Sequence, residues 1–270
     1  MSLLQQAAAA LTQVHRTKPL VHHITNYVTV NDCANITLAI GASPVMADDP
    51  AEVEEMTAVA NALVLNMGTL NSRTVGSMLA AGKQARQKGI PIIFDPVGVG
   101  ATSLRTATAG QIIEELRPTV IRGNMSEIKI IAGLDAAIKG VDSVAGDEAG
   151  ESVAAELSRK LDCVIAITGK TDIVAGGGRL CRIGNGHPLL AKLTGSGCMA
   201  TSLTGCFCGA NADEFAATVA AIIAMGLAGE RAQASLRPGE GIGTFHMRLF
   251  DAIATMTPDN LYQGGKVNEA

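Results

Sequence analysis

"SRTVGSMLAAGKQARQKGIPIIFDP", residues 72–96, decides how the rest of the chain is read. Ser72–Gly89 is a helix-like stretch, and Ile90–Pro96 is a short apolar, β-rich run that ends on a carboxylate, Asp95, before Pro96. A helix leading into a strand with no alternating polar face is the unit of a mostly parallel sheet covered on both sides. The alternation continues outward in both directions. Upstream lie the runs "LVHHIT", "SPVMA" and "ALVLNMG", and downstream "PTVIRGN" and "DCVIAITG", separated by stretches such as "NDCANITLAIG", "PAEVEEMTAVA" and "NMSEIKIIAG". After Thr168 the pattern changes to "DIVAG" and "GRLCRIG" around Gly176-Gly177-Gly178, which predicts an antiparallel edge hairpin. From Gly197 onward the chain reads as helices only. One domain over 1–270 is expected, with "GLDAAIKGVDSVAGDEAG" as the long loop.

Composition narrows the function classes. Hydrophobic residues make up 47% of the 270 and charged residues 17%, with 30 Gly and no Trp, so a large buried core is available. The formal net charge of −4, with no basic cluster or aromatic platform, argues against nucleic acid or an anionic membrane as partner. The start, "MSLLQQAAAALTQVHRTKP", reads as an amphipathic helix and not as a signal peptide. "FAATVAAIIAMGLAGERA" is flanked by Asp213, Glu214, Glu230 and Arg231 and reads as a buried helix, so a soluble, cytoplasmic protein is expected. Six cysteines at 33, 163, 181, 198, 206 and 208 lack zinc spacing and read mostly as reduced, buried thiols.

In an open parallel sheet, ligands bind beyond the carboxyl ends of the strands. The residues there are Thr25-Asn26, Met46-Ala47-Asp48, Asn66-Met67-Gly68, Asp95-Pro96, Arg122-Gly123-Asn124 and Thr168-Gly169-Lys170. The common nucleotide motifs are missing: "ITGKT" has Val164 where a P-loop needs its first glycine, and "VGVGATSL" offers only Gly98-x-Gly100. Another anion site is available. In "AKLTGSGCMA", residues 191–200, Gly195 and Gly197 open a small-residue helix whose first N–H groups are free to face an anion, with Cys198 at its mouth. The helix dipole is expected to lower the pKa of that thiol. In "RGNMSEIKIIAG", Asn124 and Glu127 read either as a capping box or as groups facing a metal-bound phosphate. Asp95, ending so apolar a strand, needs a partner such as Arg122 and is a natural second carboxylate for Mg²⁺.

Together "FDPVGVGAT", "RGNMSEI" and "TGSGCMA" resemble the ribokinase-like superfamily and, within it, the hydroxyethylthiazole kinases. "HHITNYVTVNDCAN", "GASPVMADDPAEV", "NMGTL" and "GIGTFHMRLFDA" extend the resemblance over nearly the whole chain. It implies a three-layer α/β/α kinase of thiamine salvage that moves the γ-phosphate of ATP to a thiazole alcohol with Mg²⁺. It further implies Arg122 and Thr168 at ATP, with Asn124 and Gly197 beside them, and Asp95 and Glu127 at the metal. Met46 and Gly195 would line the substrate pocket, with Asn26 and Gly68 near, and Cys198 would replace the usual catalytic Asp. A homotrimer with sites between subunits is implied as well. Three rivals stand beside this: a hydroxymethylpyrimidine kinase of the same fold, a Cys198 hydrolase using His22, His23 or His187 as base, and a non-catalytic nucleotide binder. His22-His23 is expected to be packed and hydrogen-bonded, with no catalytic role.

Overall fold

The computed structural model describes residues 1–134 and 147–269, so most of the expected long loop, at 135–146, lies outside the described residues. The strands are β1 (Leu20–Ile24), β2 (Ser43–Val45), β3 (Ala62–Asn66), β4 (Ile92–Asp95), β5 (Val120–Asn124), β6 (Val164–Thr168), β7 (Asp172–Gly176), β8 (Arg179–Ile183) and β9 (Val267–Glu269). They form one sheet in the order β2-β1-β3-β4-β5-β6-β7-β8-β9, parallel from β2 to β6 and antiparallel from there on.

The helices are α1 (Leu3–Thr17), α2 (Val30–Ala39), α3 (Val53–Val59), α4 (Ser72–Lys88), α5 (Ser103–Leu116) and α6 (Met125–Gly133), then α7 (Asp147–Leu161), α8 (Ser196–Ala210), α9 (Glu214–Ala234), α10 (Ile242–Ala254) and α11 (Pro258–Gly264). They cover both faces of the sheet. Successive strand residues point to opposite sides: Ile93 and Val64 pack with the helices α1, α2 and α8–α11, while Leu63, Leu65, Ile92 and Phe94 pack with α3–α7. That double burial is why the strands read as continuous apolar runs.

The hairpin between β7 and β8 turns on Gly177 (φ 57°) and Gly178 (φ 77°), the pair of positive angles that a two-residue turn demands. The all-helical expectation for the C-terminal part needs one correction. β9 returns to pair antiparallel with β8, so the antiparallel edge has three strands. Three residues, two of them polar and exposed, carry no periodicity that a sequence reading can detect. α9 is long and apolar enough to cross a membrane, yet 89% of its apolar window is buried within the fold, as expected of a core helix. α8 lies directly on the sheet: a Cβ on Gly205 would come within 2.6 Å of Val64 and 3.1 Å of Val21. Its first turn is thereby carried to the carboxyl ends of β1, β3 and β4.

Candidate active site

The parallel register sets Asn66, the last residue of β3, beside Asp95, the last of β4. Asn66 is buried and uses every polar atom of its side chain. Its Nδ2 donates to Asp95 Oδ2 (2.8 Å) and to Cys198 Sγ (3.3 Å), while its Oδ1 accepts from Asn26 Nδ2 (3.0 Å) and the Gly68 N–H (2.9 Å). Asn26 repeats the pattern from the end of β1. Its Nδ2 also donates to Cys198 Sγ (3.3 Å), and its Oδ1 accepts from both the N–H and the hydroxyl of Thr29. Two side-chain amides therefore hold one thiol.

Asp95 is 1% exposed. Its Oδ2 accepts from Thr201 Oγ1 (2.8 Å) as well as from Asn66, and Arg122 Nη1 stands 3.8 Å away. Its Oδ1 has no hydrogen-bond partner among the described residues. Burial pushes the carboxyl pKa up to about 6, against the pull of the Arg122 charge and the Thr201 hydrogen bond.

Cys198 lies in the first turn of α8, behind Gly195, which has φ 87° and caps the helix without a side chain. A Cβ on Gly195 would meet Thr29 Cγ2 at 2.5 Å, so only glycine lets this turn close against the segment after β1. With no capping side chain, the first N–H groups of α8 are left for a ligand. The expected lowering of the Cys198 pKa is not found. Burial raises it and the nearby Asp95 carboxylate raises it further, outweighing the hydrogen bonds from Thr29, Asn26 and Asn66. The dipole argument fails because the thiol is desolvated and faces a second acid across the site. Cys198 is half-buried while the other five cysteines are buried, and none is in a disulfide. Iodoacetamide is therefore expected to alkylate Cys198 alone in the native protein, slowly near neutral pH and faster as the pH rises. Peptide mass spectrometry over a pH series checks this.

On the other side of the α8 turn, Arg122 Nη2 donates to Thr168 Oγ1 (2.6 Å), and a Cβ on Gly197 would come within 2.8 Å of Arg122 Nη1. These residues open onto a cleft of about 670 Å³ that also takes in Lys170, Asp172, His187 and Ala200. Below it, Asn124 and Glu127 form the capping box of α6. Asn124 Oδ1 accepts from the Glu127 N–H (3.0 Å), and Glu127 Oε2 accepts from the Asn124 N–H (2.9 Å). Glu127 Oε1 accepts from the Gly98 N–H (3.0 Å), so this carboxylate also fixes the loop after β4.

A sequence model of the "Hydroxyethylthiazole kinase family" matches residues 11–259. The chain belongs to the hydroxyethylthiazole kinase family. A hydroxyethylthiazole kinase of Alkaliphilus oremlandii is 49% identical over the whole of both chains, and one of Methanocella arvoryzae is 50% identical over 96% of this chain and 97% of its own. The solved hydroxyethylthiazole kinase of Pyrococcus horikoshii superimposes with a TM-score of 0.89, at 37% identity and 98% coverage of each chain. The pyridoxal kinase of Staphylococcus aureus shares the fold with a TM-score of 0.66 at 14% identity, covering 94% of this chain and 99% of its own. The family is one of phosphotransferases, and the ribokinase-like architecture expected from the sequence is the one observed.

Within this family member the site residues fall into groups. Asn26, Gly68, Asp95 and Cys198 share one hydrogen-bonded network, and Arg122, Thr168 and Gly197 form a second group that meets it at Asp95. Asn124 and Glu127 sit at the start of α6. Met46 is apart from the thiol. It lines a hollow of about 280 Å³ with His23, Thr25, Tyr27 and Thr69, whose neighbours in sequence are Asn26 and Gly68. His22 is packed as expected, with ring nitrogens on Thr57 Oγ1 (2.9 Å) and the Ala47 carbonyl (2.7 Å). His23 Nδ1 faces the Val21 carbonyl at 3.0 Å, and burial pushes its pKa down to about 4. His187 Nδ1 accepts the Leu189 N–H and so caps a short 3-10 turn. None of the three is hydrogen-bonded to Cys198, whose partners are the amides of Asn26 and Asn66.

Three residues at this site escape a reading of the sequence. Asn66 is visible as a polar strand end, but its role depends on the register with β4. Thr201 is one of three buried hydroxyl residues of α8, with Ser202 and Thr204, and only the fold shows which of them meets Asp95. Arg105, on α5, donates to the carbonyls of Met67 (2.5 Å), Val97 (2.6 Å) and Gly68 (2.8 Å), pinning the turns after β3 and β4 together.

Proposed function

We propose that this kinase transfers the γ-phosphate of ATP to the primary alcohol of 4-methyl-5-(2-hydroxyethyl)thiazole, a step of thiamine salvage. The observation that carries the reading is the single thiol held by the amides of Asn26 and Asn66 at the uncapped start of α8, beside a buried carboxylate. Acceptor alcohol and phosphate are then brought together where the strand ends, the α8 turn and the cleft beside Arg122 meet. Arg122 and Thr168, with Asn124 and Gly197 beside them, bind ATP. Gly195, Asn26, Gly68 and Met46 form the acceptor side.

Phosphoryl transfer passes through a loose transition state, so positioning and charge stabilisation supply most of the catalysis. A thiol of raised pKa stays protonated at neutral pH, and Cys198 therefore acts by orienting the hydroxyl, whose proton leaves late, to an oxygen of the transferred phosphate or to solvent. The N–H groups of the Gly195–Cys198 turn face the transferred phosphate, and Arg122 neutralises charge on the nucleotide side.

The donor set fits Mg²⁺. Asp95 Oδ1 is buried with no hydrogen-bond partner, and among the described residues no cluster of three or more His, Cys, Asp or Glu side chains is built for a tighter cage. A hard cation held by one or two carboxylates, waters and phosphate oxygens is what such a site accepts. Asp95 and Glu127 would hold it, Glu127 while still bonded to the Gly98 and Asn124 N–H groups. Bound there, the ion would screen the charge of the phosphates.

The reading treats residues 1–270 as one cytoplasmic kinase unit, supported by a single sheet that runs to β9. It includes a homotrimer with sites between subunits, supported by the exposed apolar side chains of Tyr27 and Val28 beside the Met46 hollow. Light scattering checks the mass of the assembly.

The deciding experiment follows ATP consumption with hydroxyethylthiazole, with hydroxymethylpyrimidine and with no acceptor. Thiazole phosphate as the sole product is expected. Consumption only with the pyrimidine transfers the assignment to the rival kinase. Cys198→Asp is expected to keep or raise kcat, because its carboxyl oxygens can be held by the same two amides and accept a hydrogen bond from the alcohol. Cys198→Ala is expected to lower kcat by less than about 100-fold, the size of effect that a lost positioning contact has. An inactive Asp variant overturns the role given to the thiol.

A further inference from the structure

The motif "GIGTFHMRLFDA" forms α10, and no residue of it belongs to the site described so far. Its His246 reaches α2, where Nε2 lies 3.1 Å from Asp32 Oδ1. His246 Nε2 is shut off from solvent and, though close to Asp32, makes no hydrogen bond among the described residues, while its ring lies tilted against Phe250 at 5.1 Å between centroids. Asp32 is placed in the first turn of α2, one turn on from Thr29, the residue against which Gly195 closes. Asp32 Oδ2 stands only 3.9 Å from where a Cβ on Gly195 would be. A carboxylate thus borders the very turn whose N–H groups face the transferred phosphate.

The charges around that turn are unequal. On the Gly197 side stands Arg122, which favours an anion. On the Gly195 side stands Asp32, which opposes one at a range where Coulomb terms are felt in a partly buried site. His246 is the side chain of α10 that faces Asp32. We propose that His246 is a positioning residue that screens the Asp32 carboxylate from the phosphate at the Gly195 turn. The proposal rests on the reading of that turn as the phosphate site. It gives α10 a part in the reaction through α2, with no contact of its own with either substrate.

The test uses full-length enzyme carrying His246→Ala, Asp32→Asn, or both. The readouts are kcat, KM for ATP, and inhibition by the product, hydroxyethylthiazole phosphate. His246→Ala is expected to weaken product binding and lower kcat/KM by about tenfold, and added salt is expected to narrow the gap to wild type. The double variant is expected to return to within about twofold of wild type, since the charge that needed screening is gone. A purely structural tether would show neither the salt response nor the rescue. Asp32→Asn alone is close to isosteric and is expected to bind product at least as tightly as wild type. This holds the proposal to a result even where His246→Ala folds poorly. A double variant as impaired as His246→Ala, an unchanged His246→Ala, or weaker product binding by Asp32→Asn each overturns the proposal. A wild-type enzyme without thiazole kinase activity would be a different failure, removing the phosphate-site reading together with what rests on it.

Discussion

Replacing Asp95 with Asn is expected to cut kcat by at least about 100-fold and, at the same time, to raise the melting temperature. The first effect follows from losing the buried charge that faces Arg122 and, in the proposed function, the metal. The second follows from the direction of the pKa. For an acid, a folded-state value above the ordinary one means that the folded protein binds the proton more tightly than the unfolded chain does. The ionised carboxylate therefore costs stability. That cost is absent below the ordinary value of 3.8, grows through about 6, and persists above it. The span is worth of order 3 kcal/mol at neutral pH, an upper figure because the amide of Asn must replace the bare Oδ1 in a buried position. The variant should thus melt a few degrees above wild type at about pH 7 and close to it at about pH 4. Calorimetry at both pH values, with steady-state kinetics, separates the two effects. A variant that is less stable at neutral pH would mean that Arg122 needs this carboxylate more than burial penalises it.

Gly195→Ala is the second large effect. The φ of 87° costs any L side chain about 1 kcal/mol, and the added methyl would lie 2.5 Å from Thr29 Cγ2, inside any tolerable contact. Either the α8 turn or the segment after β1 must move. Each carries a group that holds or contains the thiol, and a displacement of about 1 Å is enough to cost roughly 100-fold in kcat/KM. Gly178→Ala supplies the control. It also has a positive φ (77°), but nothing lies within 4 Å of the new methyl, and it sits in the hairpin away from the strand ends. It is expected to lose stability while keeping kcat/KM. Equal activity losses in the two variants would show that backbone strain alone, and not the contact with Thr29, governs the site.

Much of this was legible in the residues themselves. The apolar runs ending on Asn66, Asp95, Asn124 and Thr168 announce buried parallel strands, because burial on both faces removes the polar alternation that an exposed sheet would show. Three consecutive glycines announce the hairpin. What escaped depends on distances across the chain. Thr201 and Arg105 matter because folding brings them to Asp95 and to the turns after β3 and β4, and nothing in their neighbours marks them out. The Cys198 pKa went the opposite way to its local signal, since a helix start is visible in sequence whereas desolvation and the carboxylate across the site are not. The Glu127 pattern had two readings. The structure shows both of its oxygens on backbone N–H groups, a geometry that leaves lone pairs for a cation and so keeps the metal role as a proposal.

α8 joins two parts of the molecule usually treated as separate. Its first turn holds the thiol, while every residue from Met199 to Cys208 is buried, with Gly205 pressed onto Val64 and Val21. The helix has no exposed flank through which a local change could relax. The interior behind it therefore works as a mounting for the Cys198 thiol. A methyl added or removed some ten residues from Cys198 is therefore expected to shift the thiol and not to be absorbed locally. Packing of the core and placement of the thiol are coupled through this one helix.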